Sequence, residues 1–229
     1  MMVDSPNNPG IKESVRKLVP PALLKERETV LRLGPTAGPI YARLRLLDWL
    51  GIRSGNRTLA PPGSRSFLFV CFGNLMRSPM AEVMFRRSIA NTNLPRIQIA
   101  SAGLHAISGT PAHPWALTAG EELGLSLQGH RAKQLTAEMV STADAIFAMD
   151  FQNKAELLAQ YPASKARILM LSAYAVGNQH CREISDPYFG NLSATHQCYG
   201  VLRKCVENLT AALVTAERRQ VTLESGVAR

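Results

Sequence analysis

Cys71, Arg77 and Ser78 lie within eight residues of one another in VCFGNLMRSPMAE (70–82). An apolar run, SFLFV at 66–70, leads into the cysteine, and Ser78-Pro79 opens a helical pattern. Serine caps helices and proline fits their first position. A helix N-terminus is therefore expected at Ser78, with unpaired N–H groups and a partial positive charge that favour an anion. Gly73 and Asn74 tolerate left-handed backbone. The loop Phe72, Gly73, Asn74, Leu75, Met76 can then turn its N–H groups inward as a phosphate nest, and the Arg77 fork can grip two phosphate oxygens. The same donors favour the thiolate of Cys71, with the Ser78 hydroxyl able to donate to sulfur. The chemistry this predicts is attack of sulfur on phosphorus to form a phosphocysteine, which water then hydrolyses. Amides and Arg77 would hold the transition-state charge. By itself Cys-x5-Arg arises by chance, and a lone cysteine is ordinarily a small buried hydrophobe. The strand before it, Gly-Asn within it and Arg-Ser-Pro after it carry the reading.

A departing phenolate or alkoxide needs a proton, so an acid is expected elsewhere. Asp186 in REISDPYFGN (182–191) is the candidate. Pro187 forces it toward extended geometry and marks a loop. Tyr188 and Phe189 could wall a ring-bearing substrate. Asp-Pro alone is usually only a turn; the cysteine loop is what raises it.

The surrounding pattern is one of alternation. Strand candidates are SFLFV (66–70), RIQIA (96–100), DAIFAM (144–149) and RILML (167–171). Helical candidates are PMAEVMFRRSIA (79–90), WALTAGEELG (115–124), DFQNKAELLAQY (150–161) and a longer stretch over roughly 191–217. Strands alternating with helices predict an α/β fold, a parallel sheet covered on both faces. Such sheets bind ligands beyond the carboxyl ends of their strands, where Cys71 falls. Upstream, residues 1–21 read as a loose tail with four prolines. Helical patterns follow at 22–33 and 39–51, the second stopping at Gly51. NRTLAPPGSR (56–65) reads as a linker. This divides the chain into a partly helical extension (1–65), a domain (66–220) and a tail (221–229).

Of the 229 residues, 46% are hydrophobic and 19% charged, as suits a globular core. No apolar run approaches the roughly 20 residues that span a bilayer, and MMVDSPNNPG lacks the pattern of a secretory signal. Four cysteines (Cys71, Cys181, Cys198, Cys205) do not suggest a disulfide framework, so a reducing, cytoplasmic setting is expected. The net charge is +9, with 11 basic against 5 acidic residues in 1–65 and 15 against 12 beyond. The basic extension is a solvated face or a site for an acidic partner or peripheral membrane contact. The helices of 22–51 are expected to pack on the domain or on each other. No aromatic-interleaved basic run or finger spacing points to nucleic acid.

FVCFGNLMRSPMAE, ASAGL (100–104), GHRAKQLT (129–136), IFAMDFQN (146–153) and DPYFG (186–190), in this order, resemble the low-molecular-weight protein tyrosine phosphatases from residue 66 to about 217. The resemblance implies a four-stranded parallel sheet flanked by helices and no metal or organic cofactor. It implies Cys71 as nucleophile, Arg77 as phosphate clamp, Asp186 as general acid and then base, and phosphotyrosine protein as substrate. Asn74, Ser78, Ser101 and His130 match the family's loop-holding network; from residue type alone, Ser101 is a strand end and His130 a surface histidine. Asp150 matches a structural position. SAGLHAISGTPAHPWAL (101–117) is most like bacterial members that act on membrane tyrosine kinases controlling capsule or exopolysaccharide export. Several positions depart from the family. Met76 replaces a frequent second cysteine, and with it a protective disulfide. Ile107 stands where eukaryotic members carry an aromatic wall residue, and Phe189 replaces a second tyrosine. Leu75, where arginine phosphatases carry threonine, favours phosphotyrosine. The extension has no counterpart in the family. Two other readings stay open. An arsenate reductase of this fold needs relay cysteines, and only Cys181 lies between Cys71 and Asp186; Cys198 and Cys205, seven apart on a helix, should both face the core. A non-catalytic adaptor would be recruited through its basic helices.

Overall fold

The computed structural model describes residues 21–52, 59–175 and 182–226. Most of the expected tail, the start of the linker, Cys181 and residues 227–229 lie outside them. Four strands, β1 (Ser66–Cys71), β2 (Gln98–Gly103), β3 (Ala145–Ala148) and β4 (Ile168–Met170), form one parallel sheet in the order β2-β1-β3-β4. The chain steps from β1 to one side and returns to its other side at β3. The carboxyl end of β1 is therefore the switch point where open α/β sheets hold their ligands. Cys71 closes β1 there, in register with Gly103 of β2.

Alternation along β1 builds two cores. Phe67, Phe69 and Cys71 face a cluster with Phe85, Phe147 and Tyr199, whereas Leu68 and Val70 face one with Ile146, Phe151 and Met170. Phe67 and Phe69 meet Phe85 edge-on with centroids 5.2 and 5.7 Å apart. Each such fully buried ring contributes about 1.5–3 kcal/mol. Helices α3 (Arg77–Ile89), α4 (Pro114–Glu122) and α7 (Leu192–Gly226) carry residues of the first core. The second is covered by α5 (Ala137–Thr142) and α6 (Phe151–Gln160).

The extension packs on the domain, as expected of 22–51. Its helices α1 (Pro21–Arg32) and α2 (Gly34–Trp49) follow one another closely. A Cβ at Gly38 would meet Val30 O at 2.4 Å, so only glycine permits this approach. Ala37 and Tyr41 of α2 are buried in the core that holds Val70 and Phe151. No helix among the described residues is long and apolar enough to cross a membrane.

Element boundaries differ from expectation for identifiable reasons. The helix after the cysteine loop starts at Arg77, with Met76 as N-cap and no side-chain cap, so Ser78 is not the cap. Its hydroxyl is used elsewhere, and Pro79 sits in the first turn, where N–H groups are unpaired in any case. α2 begins at Gly34, five residues before Pro39, because buried Ala37 and Tyr41 hold the turns around that proline. β2 runs on to Gly103 because it follows β1 to its end. The short α5, capped by Thr136 Oγ1 on Met139 N–H at 3.2 Å, was not expected. α7 reaches Gly226 and takes in most of the segment read as a tail.

Candidate active site

The loop from Cys71 to Arg77 joins β1 to α3, and its carbonyls are drawn outward. Cys71 O accepts from Leu104 N at 3.0 Å and Phe72 O from His105 N at 2.8 Å. Asn74 O pairs with His130 Nε2 at 2.7 Å, Leu75 O accepts from His113 N at 3.1 Å, and Met76 O from the Tyr199 hydroxyl at 3.3 Å. A carbonyl only accepts, so His130 carries its proton on Nε2. With its carbonyls held outside, the loop presents N–H groups to its concave side, and Asn74 N–H points at Cys71 Sγ from 3.3 Å. Among the described residues, Asn74 is the non-glycine residue with positive φ, at 55°. This conformation suits asparagine because its short amide finds local partners.

Those partners form one buried network. Asn74 Nδ2 donates to Ser78 Oγ at 2.9 Å and to Ser101 Oγ at 3.0 Å, and Asn74 Oδ1 accepts Lys133 N–H at 2.9 Å. Ser78 Oγ stands 3.0 Å from Cys71 Sγ and 3.3 Å from Ala102 O. Having accepted from Asn74, it has one proton to give to either. Gly103 was not singled out in the sequence, yet its Cβ would meet Phe72 O, Gly73 C and Asn74 N, each at 2.8 Å. β2 must end in glycine for the loop to lie against it; the SAG triplet was the available signal.

Arg77 is 2% exposed and reaches three acceptors. Nη1 pairs with Asp150 at 2.6 Å and donates to Ile184 O at 3.1 Å, while Nη2 pairs with Asp186. Burial would push its pKa down, but Asp150 and Asp186 outweigh that and raise it, so the guanidinium stays charged. Asp150, read as structural, is thus both a direct partner of Arg77 and the N-cap of α6, where Oδ1 accepts Asn153 N–H at 2.7 Å. Asp186 Oδ1 also accepts Tyr188 N–H at 3.2 Å.

Around the mouth, Phe72 packs against His105 with the rings tilted by 31° and their centroids 4.6 Å apart, and His105 Nε2 is 2.5 Å from Glu156. Tyr188 lies 5.3 Å from the His113 ring and 5.0 Å from Phe189. His105 and His113 were missed because nothing local marks them. Phe189, edge-on to Tyr188, is 98% exposed, and Ile107 79%. Met76 is buried, as are Cys198 and Cys205 on α7; Cys181 lies outside the described residues. No group of three or more His, Cys, Asp or Glu among the described residues is placed to hold a metal ion.

Residues 66–220 match the family model described as low molecular weight phosphotyrosine protein phosphatase. A probable low molecular weight protein-tyrosine-phosphatase of Ralstonia nicotianae, EpsP, is 36% identical over 143 residues, covering 62% of this chain and 92% of that protein. The crystal structure of the Erwinia amylovora tyrosine phosphatase AmsI superposes with a TM-score of 0.60 at 32% identity, covering 68% of this chain and 99% of that one. A protein-arginine-phosphatase of Bacillus subtilis is 32% identical over 146 residues, covering 64% of this chain and 95% of that protein.

Proposed function

The chain belongs to the low molecular weight phosphotyrosine protein phosphatase family, and from that premise we propose how its own residues perform the hydrolysis and on what. Cys71 Sγ attacks phosphorus in line with the leaving oxygen. The loop amides and Arg77 take up the equatorial oxygens. Arriving phosphate displaces the Asp186 carboxylate from Arg77 Nη2. Facing the substrate's negative charge, the carboxylate takes up a proton from water and delivers it to the leaving oxygen. The carboxylate so regenerated then accepts the proton of the water that attacks the phosphocysteine and releases the Cys71 thiolate. Asp150 keeps hold of Nη1 throughout and so fixes the guanidinium plane. The observation that carries this reading is the sulfur's setting: Ser78 Oγ and Asn74 N–H converge on it at 3.0 and 3.3 Å with the guanidinium one residue from the serine.

Phosphotyrosine in a protein is the substrate this site favours. Phe72 and Tyr188 offer ring faces at the mouth, and a tyrosyl ring is long enough to bring its phosphate to a sulfur at the loop's floor. Leu75 adds an apolar side chain to the loop. From the resemblance of SAGLHAISGTPAHPWAL (101–117) to bacterial members that act on membrane tyrosine kinases, we propose a tyrosine kinase of exopolysaccharide synthesis as the physiological target. The end of α2 exposes Leu46, Trp49, Leu50 and Ile52, Trp49 by 78%, with Arg43 exposed one turn earlier. This tip supports peripheral contact with an anionic bilayer, which would bring the enzyme to a membrane kinase.

The test is hydrolysis by the full chain in the presence of a chelator. Wild type should release phosphate from phosphotyrosine peptides faster than from phosphoserine or phosphoarginine peptides, and Cys71→Ser should release none. Turnover by Cys71→Ser equal to wild type would end the reading. For the membrane contact, Leu46→Ala with Trp49→Ala should lower pelleting with phosphatidylserine vesicles. Exposed residues are chosen because removing α2 would uncover the core around Tyr41.

A further inference from the structure

The second half of α2 reaches the segment that leads into Asp186. Arg45 Nη1 pairs with Glu183 Oε2 at 2.8 Å, and its remaining nitrogens take Glu26 of α1. The guanidinium also lies 5.9 and 5.7 Å from the ring centroids of Tyr41 and Phe151. Glu183 Oε1 in turn accepts Phe151 N–H at 2.7 Å, next to Asp150. Three residues after Arg45, Asp48 pairs with Arg182 at 2.8 Å, and the same Arg182 nitrogen donates to Asp48 O at 3.1 Å. The next residue, Ile184, is 1% exposed; its N–H donates to Met149 O at 2.8 Å and its carbonyl accepts from Arg77.

Residues 182 and 183 are thus held by α2, and 184 by the site itself, two residues before Asp186. A single exposed ion pair would hold little. Here Arg45 joins two carboxylates through a planar fork and rests against two rings, so its position is defined by four groups at once. α2 lies outside the residues matched to the family. The acid loop is therefore fixed in part by a segment with no place in the family domain.

We propose that Arg45 and Asp48 are positioning residues for the reaction: by clamping residues 182 and 183 onto α2 they set where the Asp186 carboxyl stands against the leaving oxygen. The proposal rests on Asp186 being the proton donor. Small displacements of such a group are costly, since a shift of about 1 Å can slow a reaction about 100-fold. If Arg45 and Asp48 merely glued α2 to the domain, their loss would lower stability and affect all substrates alike. A positioning role acts only where a proton must be delivered.

The experiment compares kcat/KM of the full chain and its Arg45→Met, Arg45→Lys, Asp48→Asn and Asp186→Asn variants on two aryl phosphates. 2,4-Dinitrophenyl phosphate leaves without a proton; phenyl phosphate needs one. Arg45→Met and Asp48→Asn should each lose about 5- to 20-fold on phenyl phosphate and less than about twofold on the dinitrophenyl ester, with Arg45→Lys between them and wild type. Equal loss on both substrates, or none on either, overturns the proposal. Asp186→Asn separates the causes. If it discriminates between the substrates while the α2 variants do not, positioning by α2 fails alone. If it does not discriminate, the assignment of Asp186 as donor fails and the proposal falls with it. Should Arg45→Met not fold, Asp48→Asn, which leaves the Arg45 cluster intact, decides.

Discussion

Arg77 and Asp186, 109 residues apart, form an ion pair at the site. The group proposed to bind phosphate and the group proposed to protonate its leaving oxygen are thus each other's partner. A phosphate oxygen must therefore displace a carboxylate, and the departing charge then faces an incoming dianion. Asp186→Asn removes that competition. The variant should bind inorganic phosphate and vanadate several-fold tighter than wild type, by about 1 kcal/mol, while its turnover of phenyl phosphate falls. Inhibition constants against a dinitrophenyl ester measure this; weaker inhibition in the variant would mean that Asp186 and the anion do not compete.

Ser78 supplies the oxygen nearest to sulfur, at 3.0 Å. Ser78→Ala removes a donor to the thiolate but leaves Asn74 Nδ2 its second acceptor, Ser101 Oγ at 3.0 Å. The fold should therefore survive with a melting temperature within about 4 °C of wild type, whereas kcat should drop about 10- to 100-fold. Stopped-flow with p-nitrophenyl phosphate would show which half-reaction slows. An unaltered kcat would show that the hydroxyl serves Ala102 O instead.

What the sequence reveals here depends on how near in the chain the interacting groups lie. Cys71, Asn74, Arg77 and Ser78 lie within eight residues, so strand, loop and helix start are legible together, and the alternation of apolar runs with helical patterns locates all four strands. The Ser78 cap was misread because a serine at a helix start has two uses, and only the fold shows that sulfur and Asn74 claim its hydroxyl. Asp150 reads from the sequence only as a structural position; in the fold one of its oxygens caps α6. That its other oxygen meets Arg77 depends on β3 lying beside β1, a pairing across 73 residues. The contact of Arg45 with Glu183 spans 138 residues, and no local pattern in either segment could have announced it.

Gly103 makes the loop's placement testable without touching a catalytic group. All three atoms that a Cβ there would meet at 2.8 Å are backbone atoms of Phe72, Gly73 and Asn74. They cannot rotate away as a side chain could, so the loop itself must move. Gly103→Ala should cost about 1–3 kcal/mol of stability and, through the displaced amides, about 100-fold in kcat/KM. Thermal unfolding and aryl phosphate kinetics on the same sample check both. Full activity with normal stability would mean that the loop tolerates other positions against β2.

Lys154 on α6 predicts a pH effect on stability. Burial pushes its ammonium down to about 8 from the ordinary lysine value of 10.5. Because the folded value lies below the unfolded one, the unfolded chain binds more protons at this site between pH 8 and 10.5, and stability must rise with pH there. Below pH 8 the buried charge is a constant cost of up to about 3 kcal/mol, at about 1.4 kcal/mol per pKa unit. Tyr174 and Tyr199, whose phenols burial raises above the ordinary value of 10.0, oppose the rise near pH 10 by favouring the unfolded phenolates. The comparison is therefore made between wild type and Lys154→Met rather than on wild type alone. The variant lacks the titrating group, so subtracting its unfolding free energy isolates Lys154. Urea unfolding at pH 7, 8, 9 and 9.5 should show wild type gaining on the variant only above pH 8. A gap that stays constant over that range would place the charge of Lys154 in water rather than in the core.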